Sequence, residues 1–94
     1  MGFELIFEPK VEKFLDKSDK VLYARLIKKI EILKDNPYPG DVKSIKGESH
    51  LFRLRVGDYR IIYEVMKSCG KILIIDINKR AVIYRLRDEE KNLC

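Results

Sequence analysis

Residues 51–65, LFRLRVGDYRIIYEV, alternate apolar and polar side chains, interrupted at Gly57-Asp58. A period of two is what a half-buried strand requires, so the stretch reads as two strands of a β-hairpin. Gly-X suits a two-residue type II′ turn. With Gly57 and Asp58 as the loop, Val56 faces Tyr59, Arg55 faces Arg60, Leu54 faces Ile61, Arg53 faces Ile62 and Phe52 faces Tyr63. One face is then Phe52, Leu54, Val56, Tyr59, Ile61 and Tyr63, and the other carries Arg53, Arg55 and Arg60. Like charges directly opposite one another destabilise a sheet. A face built that way suggests a phosphate-bearing partner, with a solvated face of long charged side chains as the alternative.

The remaining pattern supplies a second layer. Residues 3–7 alternate and read as a strand with Phe3, Leu5 and Phe7 inward. Pro9 suits a first helical position, where its missing N–H costs nothing, and Val11, Phe14 and Leu15 form the apolar stripe of a short helix. Asp19 can cap a second helix over about residues 20–35. Its stripe is Tyr23, Leu26, Ile27, Ile30 and Leu33, while Arg25, Lys28, Lys29 and Glu31 read as a solvated face. Asn36-Pro37-Tyr38-Pro39-Gly40 stops that helix, and residues 41–50 read as a loop. After the hairpin, Ser68-Cys69-Gly70 fits a three-residue loop with Gly70 left-handed. A last strand, residues 71–79, then pairs Val65 with Leu73, Tyr63 with Ile75, Ile61 with Ile77, Ile62 with Asp76 and Arg60 with Asn78. Residues 81–94 read as a short turn or helix and a frayed tail. The expected architecture is α+β: an N-terminal strand and a helical hairpin packed on a twisted, mainly antiparallel β-sheet.

Ninety-four residues, 46% hydrophobic, suffice for one domain spanning 1–94 and are too apolar for a disordered chain. The net charge of +5 is unevenly placed. Residues 1–40 hold eight Lys/Arg against seven Asp/Glu, whereas residues 42–87 hold eleven against four. The basic character belongs to the half with the hairpin, which points to nucleic acid or an acidic protein partner. Cys69 and Cys94 make no metal-ligand spacing and read as free thiols in a reducing compartment. No segment reads as a signal peptide or a membrane span, so no membrane partner is expected and the chain reads as cytoplasmic.

Several segments in order resemble the RelE/ParE superfamily of toxins from toxin–antitoxin systems: FELIFEPKVEKFL, LKDNPYPGDVKSIKG, LFRLRVGDYRIIYEV and NKRAVIYR. The resemblance covers roughly residues 3–87. It implies a RelE-like two-layer fold and a ribosome-dependent endoribonuclease that cuts mRNA, contacts ribosomal RNA and is silenced by a RelB-like antitoxin. By motif it implies catalytic roles for Arg60, Arg80 and Tyr84, and RNA binding by Lys43, Lys46, Arg53, Arg55 and Lys79. Many relatives have His where this chain has Lys79, which departs from any scheme using a histidine base.

RNA cleavage without a metal needs the 2′-OH aligned with its own phosphate, a route for its proton, and stabilisation of charge on the phosphorane-like transition state. Arginines suit the last role. Tyr84 could move a proton or stack on a base; a phenol's ordinary pKa of about 10 falls beside positive charge. The single histidine, His50, excludes a histidine pair and reads as a loop residue. No metal cluster or other cofactor site is assembled by the spacing. Two other functions compete: a ParE-like DNA gyrase-inhibiting toxin, and a non-catalytic basic nucleic-acid-binding domain.

Overall fold

The computed structural model describes residues 2–40, 42–45 and 50–79. Its elements are β1 (Glu4–Phe7), α1 (Pro9–Lys17), α2 (Lys20–Asp35), β2 (Val42–Ser44), β3 (Leu51–Val56), β4 (Tyr59–Met66), a 3-10 turn (Lys67–Cys69) and β5 (Lys71–Asn78). The five strands form one sheet in the order β1-β5-β4-β3-β2. β1 lies parallel to β5, and all other pairs are antiparallel. The sheet is thus the expected antiparallel meander with β1 added at one edge. β2 adds a strand at the other edge, inside the stretch expected to be a loop. Three residues, Val-Lys-Ser, carry too little alternation to announce a strand, and the pairing with β3 supplies what the local sequence lacks.

Local chemistry sets the helix boundaries. Pro9 opens α1 after an extended Glu8. The Ser18 backbone N–H and hydroxyl donate to the carbonyls of Leu15 and Phe14, the latter at 2.8 Å, and so close the helix. Asp19 caps α2, its carboxylate accepting from the Leu22 N–H at 2.8 Å. Such a cap contributes about 1 kcal/mol. Asn36 ends α2, and its side chain accepts from the Tyr38 N–H at 3.1 Å, turning the chain toward the sheet.

Both helices cover one sheet face. Val11 and Leu15 of α1 and Leu26, Ile30 and Leu33 of α2 are buried against Leu54, Val56, Ile61, Tyr63, Val65, Ile72, Ile74 and Ile77. Each such aliphatic side chain contributes about 1.5–3 kcal/mol by leaving water. Phe3, Leu5, Phe7 and Phe14 pack partly buried against this core, as their spacing requires. On α2 the stripe is shifted: Leu22 packs on the core, while Tyr23 is 45% exposed. Tyr63 is fully buried, and its hydroxyl donates to the Pro37 carbonyl at 2.6 Å, tying the proline turn to the middle of the sheet.

The hairpin register matches the sequence expectation at all five expected pairs, from Val56–Tyr59 to Phe52–Tyr63. Gly57 has φ +60°, and no non-glycine residue among those described has positive φ, as a type II′ turn requires. The β4–β5 register holds for Arg60–Asn78, Ile61–Ile77 and Ile62–Asp76. Beyond a bulge between Ile62 and Tyr63 it moves by one, and Tyr63 faces Ile74 while Val65 faces Ile72. The expected partners Ile75 and Leu73 are therefore corrected. Ile72 through Ile75 are all apolar, so either register buries apolar side chains and the period alone cannot choose. The turn decides: residues 67–69 coil into a 3-10 turn, Gly70 takes the expected left-handed conformation, and pairing begins at Met66–Lys71. Cys69 is disulfide-bonded, which corrects the free-thiol expectation for that residue; sequence separation alone does not report spatial distance. The expectations for Cys94 and for residues 81–94 lie outside the described residues. No helix among the described residues is long and apolar enough to cross a membrane.

Candidate nucleic-acid interface

The sheet face turned away from the helices gathers four of the expected site residues. Residues directly paired across antiparallel strands share a face. Arg55 pairs with Arg60, and Arg53 pairs with Ile62 on one side and Lys43 on the other. Lys43, Arg53, Arg55 and Arg60 thus stand together on β2, β3 and β4. Two of these juxtapositions, Lys43–Arg53 and Arg55–Arg60, set like charges opposite one another. Among the described residues, none of the four makes an ion pair with a carboxylate.

The arginines nearest the hairpin turn are positioned by main-chain carbonyls. Arg60 donates from Nη1 to the Lys79 carbonyl at 2.8 Å, which spans from β4 to the end of β5. Arg55 donates from Nε to the Gly57 carbonyl at 3.4 Å. Neither bond neutralises its guanidinium. Among the described residues, Arg60 forms no salt bridge with the carboxylates of its own sheet face, Asp76 and Glu64. Asp76 instead meets Lys10 of α1 at 3.7 Å and accepts from the Asn78 amide at 3.2 Å. Asn78 stands directly opposite Arg60, as expected.

The same face is not uniformly polar. Leu51, Ile62 and Leu73 lie on it by register and are buried, at 2%, 2% and 6% exposure. The cations therefore cluster toward β2 and the β3–β4 turn instead of covering the sheet. Lys79 departs from the cluster: its ammonium lies 5.3 Å from the centre of the Tyr59 ring, which packs edge-on against Phe14 of α1. Lys46, Arg80 and Tyr84 lie outside the described residues. His50 is exposed at the opposite end of β3 from Gly57, beside a hollow of about 640 Å³ that Tyr38 and Phe52 also line.

Arg25 is exposed, as its place on a solvated face of α2 predicts, but one of its contacts escaped the sequence reading. Arg25 of α2 leans over the β3–β4 turn, and a Cβ on Gly57 would fall 2.7 Å from its Nη2. Its position on the outer circumference of α2 gives no hint of this contact, because only the docking of helix on sheet brings the two together. Chemically, the cluster offers guanidinium groups whose planar donors match phosphate oxygens and which stay charged at any physiological pH. Among the described residues no group of three His, Cys, Asp or Glu side chains could hold a metal ion.

The sequence and the fold both have relatives among known proteins. Residues 5–84 match the family model described as the ParE toxin of type II toxin–antitoxin systems, parDE. The chain is 34% identical over 86 residues to a Methanocaldococcus jannaschii protein named "Putative toxin RelE1", covering 84% of this chain and 96% of that one. The crystal structure of the archaeal RelE–RelB complex from Pyrococcus horikoshii superposes with a TM-score of 0.76 at 32% identity, covering 85% of this chain and 97% of that one. The isolated Escherichia coli RelE toxin shares the fold, with a TM-score of 0.74 at 18% identity over 85% of this chain and 86% of its own. A fold match over nearly the whole relative, together with a family match over residues 5–84, establishes that this chain belongs to the RelE/ParE superfamily of type II toxin–antitoxin toxins.

Proposed function

We propose that this chain acts, as one toxin domain, as a ribosome-dependent endoribonuclease that cuts mRNA and stops translation. The observation that carries this reading is the Lys43/Arg53/Arg55/Arg60 face, which no carboxylate among the described residues neutralises. Holding like charges face to face destabilises the free protein. A polyanion laid across the strands relieves that repulsion, which makes the arrangement suited to binding.

The reaction fits what guanidinium groups do. The 2′-oxygen forms a bond to the adjacent phosphorus while the bond to the 5′-oxygen breaks. The 2′-OH loses its proton, and the leaving oxygen gains one. Arg60, anchored to the Lys79 carbonyl with its charge uncompensated, holds a non-bridging phosphate oxygen and stabilises the added negative charge. Arg53, Arg55 and Lys43 hold the flanking backbone. In the same proposal Arg80 shares the phosphate and Tyr84 moves a proton, with Lys46 and Lys79 as further RNA contacts. Much of the rate comes from alignment of the 2′-OH, which can contribute up to about 7–11 kcal/mol. The ribosome supplies that alignment.

The partner proposed is a RelB-like antitoxin, supported by likeness to RelE chains solved in RelE–RelB complexes. The excess of eleven basic over four acidic residues in positions 42–87 calls for acidic or mixed-charge segments in that partner. A second reading, gyrase inhibition, draws support from the family model's ParE description. Expression without a partner separates the two. Arrest with new mRNA ends and intact DNA supports the nuclease; arrest with DNA breaks and intact mRNA overturns it in favour of gyrase. A folded but inert protein overturns both.

A further inference from the structure

Beside the arginine face, on the helix side of the β3–β4 turn, the surface holds a shallow hollow of about 470 Å³. Asp19, Lys20, Val21, Leu22, Arg25 and Tyr59 line it. Three cations border this spot from two elements. Lys20 and Arg25 come from the first turns of α2, and Lys79 reaches the Tyr59 ring from the end of β5. Arg25 is exposed and makes neither a hydrogen bond nor an ion pair among the described residues. The neighbouring carboxylates do not claim it. Asp19 is occupied by the Leu22 N–H, and no ion pair forms between Asp58 and Arg25.

The position of Arg25 follows from the turn. Only a residue without Cβ lets the guanidinium approach this closely, since a Cβ on Gly57 would lie 2.7 Å from Nη2 and 3.5 Å from Cζ. Arg55 grips the carbonyl of the same Gly57 from the other side. The cationic surface therefore does not end at the rim of the sheet. It passes over the hairpin tip, from Arg60 and Arg55 to Arg25, and meets a hollow with an aromatic ring and two aliphatic side chains in its wall.

We propose that Arg25 binds a phosphate of the RNA strand where it passes the hairpin tip, and that the hollow beside it receives the attached nucleoside. This rests on the RNA-cleaving reading above and adds to it a subsite remote from the cleaved bond. The chemistry fits: a guanidinium matches a phosphodiester, and a cation-rimmed aromatic surface accepts a base of any sequence. Arg25 is a positioning residue in this scheme and touches no reacting atom.

The test is equilibrium binding of a short single-stranded 2′-O-methyl RNA, which cannot be cut, measured against salt concentration. For a single strand each neutralised phosphate adds about 0.7 to the slope of log K against log salt. Arg25→Ala should lower that slope by about 0.7 and leave the thermal midpoint where it was. Arg25→Lys should keep the slope. Val21→Glu, at a rim position that is 72% exposed, should weaken binding without unfolding the protein. An unchanged slope in Arg25→Ala overturns the proposal. If that variant nevertheless raises KM on programmed ribosomes, the phosphate belongs to ribosomal RNA and not to the strand being cut. Equal loss in Arg25→Ala and Arg25→Lys with a lowered midpoint overturns it too, and makes Arg25 a prop for the turn. Failure of the unsubstituted protein to bind the oligonucleotide also overturns it. Cleavage on programmed ribosomes then reports separately whether the nuclease reading stands.

Discussion

Arg55 stands directly across the hairpin from Arg60, and among the described residues neither guanidinium meets a carboxylate. Each is held instead by a carbonyl, Gly57 for Arg55 and Lys79 for Arg60. Carbonyl bonds orient a guanidinium without discharging it. The pair is thus oriented while remaining repulsive in the free protein, and the proposed function gives it an anion to meet.

Arg60→Ala separates the two roles. Cleavage should fall by about ten- to thousandfold, the scale of losing a charge-stabilising donor. Stability should change by no more than about 1 kcal/mol, because relief of repulsion offsets the lost bond to Lys79. The measurement is cleavage rate alongside the urea midpoint. Activity and stability falling in proportion would make Arg60 a structural residue.

The turn beneath these arginines should be intolerant of a side chain. Gly57→Ala meets both a positive φ and the Arg25 guanidinium. Gly70→Ala meets the positive φ alone, with nothing within 4 Å of its Cβ. Left-handed backbone costs a non-glycine residue about 1–2 kcal/mol. Both substitutions should destabilise, Gly57→Ala by more, and paired urea titrations give the order. A smaller loss at Gly57 would show that Arg25 does not rest on the turn.

Tyr63→Phe removes only a hydroxyl. Its bond to the Pro37 carbonyl joins the end of α2 to the centre of the sheet. Its loss should cost about 1–2 kcal/mol, since it also leaves a shielded carbonyl without this donor. Chemical denaturation measures it, and no change would mean that water replaces the phenol freely.

Asp19→Ala tests the boundary between the helices. The Leu22 N–H loses its acceptor, and stability should drop by about 1 kcal/mol. Asp19→Ser should recover most of that loss, which distinguishes capping from a simple charge effect. If Asp19→Ser fell as far as Asp19→Ala, charge would be the cause.

The hairpin was readable because its alternation, its Gly-Asp turn and its arginines all demand one register. The start of α1 at Pro9 and of α2 after Asp19 were readable because capping chemistry is local. β5 was half readable: Ile77 and Asp76 fix one end, while the apolar run 72–75 satisfies either register and leaves the choice to the 3-10 turn. β2 was hidden because three residues hold no period, yet its pairing is what brings Lys43 beside Arg53. The contact of Arg25 with the turn was hidden for a different reason. Its neighbour is 32 residues away in sequence, and only tertiary docking makes the contact.

The central claim is that this chain supplies charge and the ribosome supplies alignment. One mRNA should be offered free and in a programmed ribosome, at matched enzyme and salt, because phosphate contacts are steeply salt-dependent. Fast cleavage on the ribosome, feeble cleavage of the free strand and loss of the fast reaction in Arg60→Ala are predicted. Equal rates on both substrates, or fast ribosomal cutting that survives Arg60→Ala, would contradict the account.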